Sequence, residues 1–438
     1  MSTIRRLATM GLAAASLLAV PAIAFAQGPE PKVDTGDTAW LLASAALVMI
    51  MTPALGFFYG GMVRHKNALG TIMHSFVIVA LISVQWVLWG YSLAFGPDHW
   101  GIIGGLDWLG LNGVGMDPNP DYAATIPHEA FMIFQAMFAV ITPALITGAF
   151  AERIKFKTFL IFTLIWATVV YAPIAHWVWG VGGWLRALGA LDFAGGTVVH
   201  VAAGMGALAA ALAIGRRKGV DDGAVEPHNV TMIVLGAGLL WFGWFGFNAG
   251  SALTSGGLAA NAFVVTNTAA AMAGLVWMTM SWAFTGKASV VGTAAGAVCG
   301  LVAITPASGF VTPMGAIIIG LGAGIFCFLA VRWRSGTKMD DSLDVWACHG
   351  VGGTWGALAT GLFATLAINS AGADGLFYGN PGQLWSQFVA VAVVSVYSFV
   401  LTFVIMKILD VTVGLRVKEH EEAEGLDLSQ HGEVAYNF

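Results

Sequence analysis

Charge is what this sequence most conspicuously lacks. Of 438 residues, 24 are Asp or Glu and 19 are Lys or Arg, 10% in all, where a soluble domain carries about 25%. That scarcity argues against a chain solvated mainly by water. The formal net charge of −5 and the absence of a basic patch exclude a nucleic-acid partner. Cysteine is scarce as well. Cys299, Cys327 and Cys348 lie in apolar stretches, without a disulfide pairing pattern or a spaced metal motif. No HExxH metal motif, GxSxG nucleophile elbow or TVGYG-type potassium filter occurs. Cys348 and His349 are helix neighbours expected to face different sides, so they make no nucleophile–base pair. The sequence reads as a non-enzyme without a cofactor or bound metal.

In place of charge there is apolar length. Hydrophobic residues make up 58% of the chain, and 57 glycines recur inside the apolar runs, where small residues let helix backbones approach closely. Runs of about 20 apolar residues span hydrocarbon. Eleven such stretches are expected, near 38–62, 69–95, 128–150, 157–177, 197–214, 230–249, 259–284, 289–305, 314–331, 345–367 and 384–409. Loop charge tests that count independently. Fifteen Lys and Arg fall on alternate loops and the tail, from Arg64 to Lys418, while the other side holds only Lys32 and Arg186. The positive-inside rule then places the C-terminus in the cytoplasm and the mature N-terminus outside. Arg5 and Arg6, the apolar run Leu12–Val20 and Ala24-Phe25-Ala26 have the anatomy of a secretory signal peptide over 1–26, cut before Gln27. The organisation expected is therefore a signal peptide 1–26, a membrane domain 27–414 and a cytoplasmic tail 415–438.

Two distant spans echo each other. His200 opens HVAAGMGALA and His349 opens HGVGGTWGALA, each with a Gly four residues on. Weak internal symmetry of this kind marks inverted repeats, with a site at their interface. An odd span count fits two inverted five-helix repeats plus a final helix. Intramembrane ionisable residues are functional hypotheses by default. His200 and His349 stand out, with His74 and His176 nearer span ends and Asp192 eight residues before His200. Paired at one axis, the two histidines would share a hydrogen bond and pass a proton. Aromatics form a second group: Phe134 and Phe138 one turn apart, Trp177 and Trp179 closing a span, and WFGWFGFNAGS from Trp241 to Ser251.

These motifs together resemble the Amt/Rh ammonium transporter family, its bacterial Amt branch, over nearly the whole mature length. The resemblance rests on FYGG at Phe58–Gly61, AERIKF at Ala151–Phe156, DFAGGTVVH at Asp192–His200, GWFGFNAGS at Gly243–Ser251 and DVWACHG at Asp344–Gly350. The tail from Leu415 to Tyr436 is similar too. The resemblance implies an ammonium-recruiting site from Trp179, Phe138, Ser251 and Phe134, and a gate from Phe138 and Phe247. It further implies a pore lined by His200, His349 and Trp244, with Asp192 as a structural and electrostatic residue. It also implies a homotrimer in a bacterial inner membrane, contact with lipid, ammonium or ammonia as substrate, and a PII-type regulator (GlnK) on the cytoplasmic face. A sensor built on the same body is the alternative.

Desolvation adds a mechanistic expectation. A bare monovalent cation in a low-dielectric interior costs on the order of tens of kcal/mol, and aromatic faces return about 2 kcal/mol each at best. The substrate is therefore expected to arrive as ammonium and cross the centre as ammonia.

Overall fold

A computed structural model describes residues 31–220 and 226–437; the expected signal peptide lies outside them. Helices dominate. In chain order they are α1 (Thr35–Met62), α2 (His65–Phe95), α3 (His128–Phe150), α4 (Phe156–Ala187), α5 (Gly196–Ile214), α6 (Val230–Gly250), α7 (Gly257–Thr285), α8 (Val290–Ile304), α9 (Pro313–Ser335), α10 (Trp346–Val351 continued by Gly352–Phe363) and α11 (Pro381–Thr412). Among the described residues nine of these are long and apolar enough to cross a membrane. Two of the eleven expected stretches fall outside that set. The 289–305 stretch folds as the 15-residue α8, and 345–367 as α10, which begins with a widened turn. The remaining structure is slight: two short hairpins between α2 and α3, and a tail that adds a six-residue helix, Glu419–Glu424.

Glycine sets the packing. Gly236, Gly243, Gly246 and Gly250 line one face of α6 against α1. A Cβ at Gly236 would stand 2.4 Å from the Phe58 nitrogen, and one at Gly246 would stand 2.7 Å from the Ser44 carbonyl. Gly296 and Gly300 of α8 press the same way on Ala269 and Ala273 of α7. In lipid no hydrophobic force distinguishes a neighbouring helix from an acyl chain, so close backbone contact holds the bundle.

The helix ends opposite the hairpins are tied by charge. Arg217 grips Asp340 with both ends of its guanidinium (2.8 Å) and reaches Glu152 at 2.9 Å, and Glu152 also accepts from Arg64 (3.0 Å) and Asn67 (2.9 Å). Burial pushes the Glu152 carboxyl up, but Arg217 and Arg64 outweigh it and hold it below its usual value. Asp340 is likewise drawn down to about 2, because Arg217 and Arg153 outweigh its burial. Asp341 behaves oppositely: burial and the charge of Asp344 push it up to about 6. The tail docks on this assembly. Asp427 accepts from the Leu69 and Gly70 amides at the start of α2, Leu426 donates to Asn67 (2.8 Å), and Glu422 takes Arg416 (2.7 Å) and the Lys218 amide (2.6 Å).

Candidate functional site

Asp192 organises the site. Its Oδ1 accepts from the Gly195 and Gly196 amides (2.9 and 2.6 Å) and its Oδ2 from Thr197 and Val198 (2.8 and 3.0 Å). These are the unpaired donors at the start of α5, so a buried carboxylate satisfies the helix end and complements its dipole. Gly195 sits at φ 109°, a backbone state suited to glycine. The Asp192 carbonyl in turn accepts from Trp179 Nε1 at 2.8 Å. One residue thus fixes both the Trp179 ring and the first turn of the His200 helix.

Trp179, Phe138 and Ser251 meet in one pocket of about 200 Å³, which Gln135, Tyr122 and Arg186 also line. Phe138 stands edge-on to Trp179, with centroids 5.9 Å apart, and packs against Phe247 at 4.3 Å. Ser251 Oγ donates to the Phe247 carbonyl (2.9 Å). Phe134 does not border the pocket; it is buried and packs edge-on behind Phe138 at 4.9 Å. Trp177 lies elsewhere, bonded to the Ile102 carbonyl and packed on Tyr397.

Beyond the Phe138–Phe247 pair lies a cavity of about 20 Å³ bordered by His200, His349, Trp244, Phe247 and apolar side chains. That is room for about one water-sized molecule. The two histidines meet there, Nδ1 to Nδ1 at 3.2 Å, with rings inclined 26°. Trp244 stacks on His200 at 5.4 Å and donates to Thr305 Oγ1 at 2.9 Å. His200 Nε2 is buried without a hydrogen-bond partner among the described residues. Both histidines sit in widened, π-helical turns, Gly196–Val201 and Trp346–Val351, a distortion often found at functional sites. The wide turn brings Cys348 to the same cavity as His349, contrary to the different faces expected of neighbours on a regular helix.

The shared glycine spacing now has a physical reason. A Cβ on Gly204, four residues after His200, would stand 2.1 Å from the Gly350 nitrogen, and one on Gly353, four after His349, would stand 3.0 Å from the His200 Cβ. Each glycine lets its helix close on the other's histidine turn. His74 and His176 take no part: His74 stacks among Phe156 and Phe159, and His176 bonds Asp98 (2.8 Å). Thr305 and Gln135 carry no motif that sequence reading would single out, and although Glu152 falls within AERIKF, nothing in the sequence pairs it with Arg217 and Asp340.

Comparison with known proteins identifies the family. The family model described as Ammonium Transporter Family matches residues 39–436. The chain belongs to that family. An ammonium transporter of Bacillus subtilis (strain 168) is 55% identical over 92% of this chain and 99% of its own length. Ammonium transporter Amt1 of Archaeoglobus fulgidus is 52% identical over 92% of this chain and 100% of its own. Among solved structures, Candida albicans Mep2 superposes with a TM-score of 0.84 at 40% identity, covering 89% of this chain and 88% of that one. A structure titled Sensor Amt Protein also reaches 0.84, at 32% identity, over 90% of this chain and 98% of its own. This chain is therefore a multi-pass membrane protein of ammonium transport and not an enzyme.

Proposed function

We propose that ammonium is captured at the Trp179–Phe138–Ser251 pocket, loses a proton, and crosses the His200–His349 cavity as ammonia, the proton following separately. The histidine contact carries this reading. An Nδ1···Nδ1 hydrogen bond of 3.2 Å requires one ring to donate and the other to accept. The donor ring then has a lone pair at Nε2 and the acceptor ring an Nε2–H. The pair so offers one acceptor and one donor. A proton taken at the free Nε2 shifts the shared Nδ1 proton across and releases the far Nε2–H, which leaves both rings neutral and the tautomers exchanged. Two aromatic faces are worth about 2 kcal/mol each at most, far short of desolvating a bare cation, and a cavity of about 20 Å³ holds no hydration shell. Potassium has no proton to surrender, so the same route excludes it.

The wider setting belongs to the same proposal: eleven spans in two inverted repeats plus a last helix, an outer N-terminus after signal cleavage and a cytoplasmic tail. Assembly is as a homotrimer in a bacterial inner membrane, regulated by a PII-type protein on the tail side. The loop-charge asymmetry supports the orientation, and the docked tail supports a regulatory role for residues 415–438. The test is ammonium-pulse current in proteoliposomes, recorded on a solid-supported membrane with potassium as control. Wild type should give a saturable ammonium current and no potassium current, and replacing His200 and His349 together with Leu should abolish it. A wild-type current in that double variant sinks the relay. Ammonia uptake without current keeps the substrate and rejects proton transfer, and silence in both assays favours a sensor.

A further inference from the structure

The chain has three cysteines, and the fold draws all three together. Cys299 Sγ on α8 stands 3.2 Å from Cys348 Sγ on α10, and Cys327 Sγ on α9 lies 4.0 Å from the Cys348 carbonyl oxygen. All three are free thiols. Cys299 and Cys327 are sealed among Trp277 and Phe328, whereas Cys348 is partly open and borders the cavity shared by His200 and His349. Passage of ammonia makes no use of a thiol.

We propose that Cys348 and Cys299 form a two-coordinate site for a soft, thiophilic divalent metal of the mercuric class, delivered through the pore as its neutral dichloride rather than as a bare cation, and that filling it closes the pore. Softness selects the metal, since the donors at this point are sulfur. Charge narrows the choice: a dication with two thiolates is neutral, while a monovalent ion with two thiolates leaves a net charge that the apolar wall penalises. Zinc asks for about four ligands, and among the described residues no group of three or more His, Cys, Asp or Glu is placed to hold a metal. Linear coordination needs only two. The balance is HgCl₂ + 2 RSH → RS–Hg–SR + 2 H⁺ + 2 Cl⁻, with no change of oxidation state.

Geometry supplies the closure. Metal–thiolate bonds of about 2.3 Å put two collinear sulfurs roughly 4.6 Å apart, so the sulfurs must separate from their present 3.2 Å. Cys299 is 1% exposed and has nowhere to go, whereas Cys348 is partly exposed and borders the cavity. Its sulfur therefore moves into a cavity with a volume of about 20 Å³, which has no room for both sulfur and ammonia. The thiol site stands without the transport mechanism; only the closure rests on the histidine cavity being the conducting path.

The experiment titrates the purified full-length protein with mercuric chloride, reading native mass and ammonium current in parallel. Wild type should gain one mercury and lose two protons, lose its current in step, and recover both with dithiothreitol. Cys327→Ser should behave as wild type. Cys348→Ser and Cys299→Ser should each fail to show the one-mercury, two-proton signature, and the current that Cys348→Ser carries before mercury, whatever its size, should not change on adding it. The same mass signature in Cys348→Ser overturns the site. The signature in wild type with undiminished current overturns the closure. Should wild type carry no current at all, the mass measurement still decides the site while the transport reading fails on its own.

Discussion

Asp192→Ala is the substitution with the largest consequence that can be worked from the contacts. The carboxylate satisfies four backbone amides at 2.6–3.0 Å, in a residue only 7% exposed. Stranding a buried donor costs about 1–3 kcal/mol, so four stranded amides cost roughly 4–12 kcal/mol if no water reaches them. Total stability is typically about 5–15 kcal/mol, so the loss is comparable with the whole. Trp179 is also released, because its indole bonds the carbonyl of the same residue. Asparagine should be intermediate: its carbonyl oxygen can serve the Gly195 and Gly196 amides, while its NH₂ meets two donors at Thr197 and Val198. The expected order of both melting temperature and ammonium current is Asp, then Asn, then Ala, with Ala inactive. Thermal unfolding followed by tryptophan fluorescence and solid-supported-membrane current measure the two quantities separately. An Ala variant that melts and conducts like wild type would falsify the assignment of Asp192 as the organiser of this site.

Gly204→Ala forces a Cβ to within 2.1 Å of the Gly350 backbone, so α5 and α10 must part; a melting loss of several degrees and no current are expected, while Gly238→Ala, which meets nothing within 4 Å, should be nearly neutral. Acid should loosen the tail end. Asp340 has its carboxyl lowered from 3.8 to about 2, so its contribution is complete above pH 3.8 and lost as pH falls through about 2, worth on the order of 2 kcal/mol; Arg217→Ala should remove most of that dependence in an acid-unfolding titration. Asp341 has the opposite sign. Raised from 3.8 to about 6, it favours the fold fully below pH 3.8 and loses that contribution as pH rises from there through about 6, so Asp341→Asn should melt above wild type at pH 7.5 and close to it only below about pH 3.8.

What could be read from the sequence and what could not divide along a physical line. Spans are periodic and apolar, so all eleven expected stretches are helical in the structure, although α8 and α10 fall short of the length and hydropathy of a free-standing span. The turn that holds His349 is widened, and no residue pattern announces a π-turn. The two histidines were legible because charge-capable side chains are rare in apolar runs, and their contact was legible because the same glycine spacing follows both. Phe134 was misplaced by one layer, since i, i+4 spacing on α3 says that two rings touch but not which one faces open space. The contact among Glu152, Arg217 and Asp340 was invisible for a different reason. Arg217 lies 65 residues from Glu152 and 123 from Asp340, and the AERIKF motif that holds Glu152 does not say which charges it meets. Yet these charges are buried, whereas surface loop charges contribute little. Under the proposed mechanism, a pore that conducts a neutral molecule has no use for such charges in its middle. In keeping with that proposal, the ion pairs of Arg217 with Glu152 and Asp340 and of Arg416 with Glu422 lie at the end where the tail docks, and the cavity proposed as the path is bordered by two histidines, a tryptophan and mostly apolar side chains.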